Sequence, residues 1–171
     1  MSQNGHPDPD WVRSALDRYE GELTRYARKI TGDLERARDV VQETFLRLCR
    51  ETPAGMDGHL AEWLFTVCRN KALDVRRKES RMTTLADVSN CDSQTREPSP
   101  GTLAETRDAA GRILELMDRL PENQQEVLRL KFQNSLSYRE ISRVTGLSVT
   151  NVGFLIHRGL KTLREQMGVR A

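Results

Sequence analysis

Cysteine is scarce. The 171 residues hold three, Cys49, Cys68 and Cys91, an odd number with no CxxC pair, which argues against a disulfide framework and a cysteine zinc site. Cys49 and Cys68 lie on apolar helical faces and read as small core hydrophobes; Cys91 sits in a polar stretch with no activating neighbour in view. His6, His59 and His157 are scattered and make no ligand set, so neither a metal nor a cofactor is expected. No run of about 18 apolar residues exists, so no membrane insertion is expected. The N-terminus lacks the basic-then-apolar pattern of a secretion signal, which predicts a cytoplasmic protein. There is no P-loop, GxGxxG, HExxH or ordered Ser/His/Asp set, so an enzyme is not expected. Charge of one sign is also missing: 27 Lys+Arg against 25 Asp+Glu leave a net +2. That excludes a histone-like polycation, and any nucleic-acid surface must come from local charge. Hydrophobic residues at 37% are few for one large core and too many for disorder throughout. Small helical units with much exposed surface fit best.

What is present is helical periodicity. From Asp10 to Ile30, apolar residues recur at steps of three and four. Gly32 is placed to stop this helix and Asp33 to cap the next. The second helix carries Leu34, Ala37, Val41, Phe45 and Leu48 on one face and ends before Pro53. A third runs from about Gly58 to Ser80. Leu60, Leu64, Val67, Cys68 and Val75 share one of its faces, and Glu62, Thr66, Arg69, Asn70, Arg76 and Arg77 the other. Residues 69–81 contain six basic groups and two acids, a local +4 in a nearly neutral chain. Residues 82–102 are rich in Ser, Thr, Asp, Asn and Pro and read as a flexible linker.

A second module starts near Leu103. Ile113, Leu116, Met117 and Leu120 form a stripe. Pro121 fits the first turn of the next helix, whose apolar face is Val127, Leu128, Leu130 and Phe132. Ser137 and Glu140 make a capping box. The short helix they open ends at Gly146, and Ser148 caps a last helix with Val149, Val152, Ile156, Leu160 and Leu163 inward. No alternating strand pattern and no repeat is seen. The expectation is an all-α chain of two small helical domains joined by a flexible linker, the C-terminal one a helix-turn-helix.

Three surfaces carry candidate chemistry. In a helix-turn-helix the second helix enters the major groove. On the helix from Ser148 the outward arc holds Thr150, Asn151, Phe154, His157, Arg158 and Lys161. Its early polar residues suit base edges, and Arg158 and Lys161 suit phosphates. The plain alternative is a solvated bundle face, against which an exposed Phe154 among cations counts. On the third helix Trp63 and Phe65 edge the basic run, which suits stacked single-stranded bases, although Trp63 fits a core equally well. On the second helix Asp39, Gln42, Glu43 and Arg47 form a polar stripe beside an exposed Leu46. This suits either a protein interface or a solvated face with internal ion pairs.

Three stretches resemble one family. Asp39-Val-Val-Gln-Glu-Thr-Phe-Leu-Arg-Leu48 is similar to a core-polymerase-binding helix. Residues 61–77, Ala-Glu-Trp-Leu-Phe-Thr-Val-Cys-Arg-Asn-Lys-Ala-Leu-Asp-Val-Arg-Arg, resemble a helix that reads and melts the −10 element. Leu120-Pro121, Ser137-Tyr-Arg-Glu-Ile-Ser and the last helix resemble a −35-reading helix-turn-helix. The family is the bacterial sigma-70 factors, in the compact extracytoplasmic-function (ECF) group. The resemblance implies a non-enzymatic initiation factor with region 2 over residues 10–81, a linker over 82–111 and region 4 over 112–168. Its implied partners are core RNA polymerase and promoter DNA, with an anti-sigma factor as a further partner the resemblance allows. Asp39, Gln42, Glu43, Leu46 and Arg47 match the polymerase-binding helix. Trp63, Arg69, Asn70, Arg76 and Arg77 match the −10 region, and Pro53–His59 the loop that captures a flipped base. Ser148, Thr150, Asn151, Phe154, His157, Arg158 and Lys161 match the −35 region. Many relatives carry basic or polar residues at the positions of Gly153, Phe154 and Leu155. Here, either backbone contacts are fewer or Phe154 meets a thymine methyl. A helix-turn-helix repressor would explain only the second module, and a protein-only adaptor only the acidic-and-leucine face. Co-purification with core polymerase separates the three readings.

Overall fold

The computed structural model describes residues 8–51, 53–56, 58–86 and 104–168. These form seven α-helices: α1 (Pro9–Thr31), α2 (Leu34–Leu48), α3 (Leu60–Ala86), α4 (Ala104–Asp118), α5 (Glu122–Phe132), α6 (Tyr138–Thr145) and α7 (Val149–Gln166). Among the described residues a single 3₁₀ turn at Pro53–Gly55 is added and no strand occurs. The chain divides into two compact units. The first contains α1–α3 and is grouped with Ser142–Gly146, the second contains α4, α5, the first turn of α6, and α7.

The helix ends follow from local chemistry. Asp8 accepts a hydrogen bond from the Asp10 N–H, with Pro9 at the first helical position. Gly32 closes α1 in the left-handed region at φ 76°, where a side chain is disfavoured, and donates its N–H to the Arg28 carbonyl. Asp33 then accepts from the Arg36 N–H at 2.9 Å and opens α2. Helix α3 runs on to Ala86, past the expected end at Ser80 and into the stretch assigned to the linker. No glycine or proline interrupts 81–86, and the Thr83 hydroxyl donates to the Glu79 carbonyl inside the helix. Polar composition alone is therefore no stop signal. Of the rest of the 82–111 stretch, residues 87–103, with Cys91, lie outside the described residues, and 104–111 are not linker but the first two turns of α4.

In the first unit α1, α2 and α3 pack on one another pairwise. Leu23, Ala27, Ala37, Leu48, Leu64, Phe65, Cys68 and Ala72 have no exposed surface. Phe65 corrects the sequence reading: it is a core residue, not an aromatic edge beside the cations. Its ring meets Tyr26 edge to face, 5.3 Å between centroids. It neighbours Leu64 on the helix, so the buried stripe is broader than the period suggested. Cys49 is a second correction, because it lies one residue beyond α2 and is exposed.

In the second unit α4 and α5 pack against α7. Met117, Leu120, Val127, Leu128, Leu130, Val152, Leu155, Ile156 and Leu163 are buried. Pro121 caps α5 from outside rather than occupying its first turn. Phe132 is 60% exposed, contrary to its expected place on the apolar face. It is the last residue of α5, and Leu136 is the residue buried at that end, its N–H bonded to the Leu130 carbonyl at 3.0 Å. Val149, expected inward, is exposed in the first turn of α7, and Leu155 is buried instead. Ser137 and Glu140 form the capping box in both directions, Ser137 N–H to Glu140 Oε2 at 2.7 Å and Glu140 N–H to Ser137 Oγ at 3.3 Å. Gly146, at φ 77°, makes the turn between α6 and α7.

Phe65→Ala should cost the fold about 3–5 kcal/mol, read by urea denaturation. A loss under about 1 kcal/mol would put the ring back on the surface.

Candidate protein-binding and nucleic-acid interfaces

Helix α2 divides cleanly. Val40, Val41, Thr44, Phe45 and Leu48 are buried, and Asp39, Gln42, Glu43, Leu46 and Arg47 are exposed. Leu46 shows 56% of its surface, a large apolar side chain left more than half open. It lies between two grooves. One, about 720 Å³, runs between α1 and α2 past Val12, Leu16, Phe45 and Gln42. The other, about 380 Å³, lies between α2 and α3 and is bordered by Glu43, Arg47, Asn70, Lys71 and Asp74.

Two contacts across the α2–α3 pair join residues with separate expected tasks. Glu43 of α2 forms an ion pair with Lys71 of α3. The Arg47 guanidinium stands over the Trp63 ring, 6.0 Å from its centroid. Lys71 belongs to the basic run of residues 69–81, and its partner across the helix pair has no signature in sequence spacing.

On α3, Trp63 and Arg69 are half-buried, and Asn70, Arg76 and Arg77 are exposed. Asp74 pairs with Arg77 at 3.4 Å, and Glu79 with Arg36 of α2. Within Pro53–His59, Met56 is buried and donates its N–H to the Pro53 carbonyl at 3.0 Å. His59 is exposed, 3.7 Å from Glu62. Asp57 in this loop lies outside the described residues.

On α7, Ser148 accepts from the Asn151 N–H at 3.2 Å and fixes the first turn. Thr150, Asn151, Phe154, His157, Arg158 and Lys161 are all exposed, as their spacing requires. Behind them Gly159 is buried, and a Cβ there would come within 2.8 Å of Leu128 Cδ1, so α5 sets how closely α7 seats. Arg129 was not singled out in sequence. Among the described residues it is the buried charged side chain, bonded through Nη2 to Asp118 Oδ1 at 2.8 Å. Burial lowers its pKa, and the Asp118 carboxylate opposes that shift. Gln125 donates to the Leu120 carbonyl at 2.8 Å, so α5 grips the end of α4 through two side chains.

A two-unit helical protein that ends in a helix-turn-helix with a cationic outer face belongs to the class of helical DNA-binding proteins. Comparison with known proteins narrows this. The sigma-70 region 2 model matches residues 15–82, and the sigma-70 region 4 model residues 110–163. The ECF RNA polymerase sigma factor SigM of Bacillus subtilis is 28% identical over 147 residues, 85% of this chain and 88% of that one. The ECF RNA polymerase sigma factor EcfG of Rhodopseudomonas palustris is 31% identical over 142 residues, 82% and 76% of the two chains. The sigma factor RpoE of Bartonella quintana, solved in complex with the anti-sigma factor NepR, shares the fold at a TM-score of 0.70 and 22% identity, over 96% of this chain and all of that one. The chain belongs to the ECF group of sigma-70 factors: it is an RNA polymerase sigma factor, acting in promoter recognition and transcription initiation. Among the described residues no helix is long and apolar enough to cross a membrane.

One buried group gives a pH signature of the fold. Burial pushes the Cys68 thiol up from 9.0 to about 12, opposed by a hydrogen bond with Thr44. The unfolded chain therefore releases this proton first as pH rises. The contribution of Cys68 is intact below the unfolded value of 9.0 and is lost as pH climbs toward about 12. The slope reaches about 1.4 kcal/mol per pH unit. Urea denaturation between about pH 8 and 10 should show a steeper loss for the native protein than for Cys68→Ala. Parallel curves would mean that the thiol is hydrated in the folded state.

Proposed function

We propose a division of labour among these surfaces. Asp39, Gln42, Glu43, Leu46 and Arg47 dock on core RNA polymerase. Trp63, Arg69, Asn70, Arg76 and Arg77 bind and open the −10 element. Ser148, Thr150, Asn151, Phe154, His157, Arg158 and Lys161 bind the −35 duplex. In this reading region 2 spans about residues 10–81 and region 4 about 112–168, with 82–111 between them. The factor contributes binding energy and positioning and no covalent chemistry, and it works in the cytoplasm. An anti-sigma factor is included as a partner, since the RpoE neighbour is seen with one.

The observation that carries the reading is Leu46. It stands 56% exposed between Gln42, Glu43 and Arg47 on a helix whose other face is fully used. An uncovered leucine framed by charges suits an interface with an apolar centre and a polar rim. The −10 assignment draws on the outer face of α3. A half-buried Trp63 ring offers a stacking platform, and the nearby arginines neutralise a strand that has lost its partner. In the free protein Lys71 is held by Glu43 and Trp63 by Arg47. When polymerase takes up Glu43 and Arg47, both partners become available to DNA, so core binding prepares the melting surface.

Replacing Asp39 and Glu43 together by lysine should weaken core binding by about 2–5 kcal/mol, measured by titrating core polymerase. Unchanged affinity would move the interface elsewhere. Alanine at Arg76 and Arg77 should leave the closed complex largely intact and reduce the open complex. A template with a pre-melted bubble should restore much of the activity. Normal core affinity with no rescue on the bubble would remove strand opening from these residues.

A further inference from the structure

The outward arc of α7 has an odd centre. At 100° per residue Phe154 falls in its middle, with Arg158 and Asn151 to one side and Lys161, Thr150 and His157 to the other. The ring is 55% exposed. On the flank, at Gly153, the Tyr138 ring lies 3.6 Å from where a Cβ would stand, so that side of α7 is closed. The Arg158 guanidinium carbon, one turn on, lies 5.8 Å from the Phe154 centroid and braces the ring from another side. A cleft of about 330 Å³ opens beside it, bordered by His157, Arg158, Lys161, Thr162 and Glu165. Only one of these is acidic, and Glu165 is 4.0 Å from Lys161. The surroundings suit a polyanion, yet the group at the centre is apolar.

A phenyl ring has no donor or acceptor to offer a base edge. In the major groove every base pair displays hydrogen-bonding groups, and thymine alone adds a methyl. We propose that Phe154 reads the 5-methyl group of one thymine in the −35 duplex, with Arg158 as the positioning residue that holds its ring. The proposal rests on α7 being the duplex-binding helix. It gives the pair a task distinct from phosphate neutralisation: Arg158 supplies charge, and through its cation–π contact it also keeps the ring aimed at the groove.

The test removes a single methyl. Full-length protein is assembled with core RNA polymerase, and −35 sequences are selected from a randomised duplex pool. Each thymine of a selected site is then replaced in turn by deoxyuridine. At one thymine the replacement should weaken binding of the native holoenzyme about fourfold, the worth of one buried carbon-sized apolar group. Phe154→Ala, a surface change that leaves the fold intact, should bind thymine and uracil equally at that position. Arg158→Lys should keep the salt dependence of binding while shrinking the thymine-to-uracil ratio. The proposal falls if no thymine shows the ratio or if Phe154→Ala retains it. It also falls if Phe154→Ala loses affinity for core polymerase with the ratio intact, which would make the ring a protein contact. An undiminished ratio in Arg158→Lys would overturn the bracing role. A pool that yields no preferred sequence would overturn instead the assignment of α7 to the −35 duplex.

Discussion

Close approach of helices at their smallest side chains governs both units. Ala27, Ala37 and Ala72 are wholly buried, one on each of α1, α2 and α3. In the second unit Gly159 of α7 lies directly beneath Leu128 of α5. Small residues let the backbones come near, and the larger side chains around them then interlock at the density of a solid. This matters because the units are small and the aliphatic content is modest. Each helix spends one face on such contacts. The other face has no structural task, and the exposed residues of α2 and α7 are found there.

That division explains what the sequence makes legible. The helix ends are local events, so Gly32, Asp33, Ser137, Glu140 and Ser148 could be read directly and act as read. The exposed stripes of α2 and α7 follow from periodicity, and every residue expected outward on them is outward. Assigning those stripes to polymerase and promoter came from resemblance and not from period. Phe65 is buried although its period puts it at an edge, because periodicity gives the centre of a buried face but not its width, which depends on how many neighbours the helix meets. Phe132 and Val149 stand at helix ends, where the chain turns and the cover runs out. Arg129 and Asp118 sit on different helices, and only the angle between α4 and α5 brings them together.

Electrostatics show the same limit. The local +4 of residues 69–81 overstates the field over α3. Lys71 is matched by Glu43 across the groove and Arg77 by Asp74 along the helix. Exposed pairs of this kind are worth about 0–1 kcal/mol each, too little to explain the fold. Their weakness has its own physical meaning: a pair held so loosely can exchange partners at small cost, whereas the buried Arg129 guanidinium, once it leaves Asp118, has little water to turn to.

Helix α2 serves two faces over the same four turns, with Leu46 outward between Phe45 and Leu48 inward. One residue added or removed near Ala37 would turn everything beyond it by about 100°. Leu46 would swing toward the core and a buried neighbour toward water. Point substitutions can drift on the outer face without disturbing the inner one, but the length of α2 cannot drift at all. In this segment the gene can lose the meaning of its letters one at a time, but a change of spacing loses both faces at once.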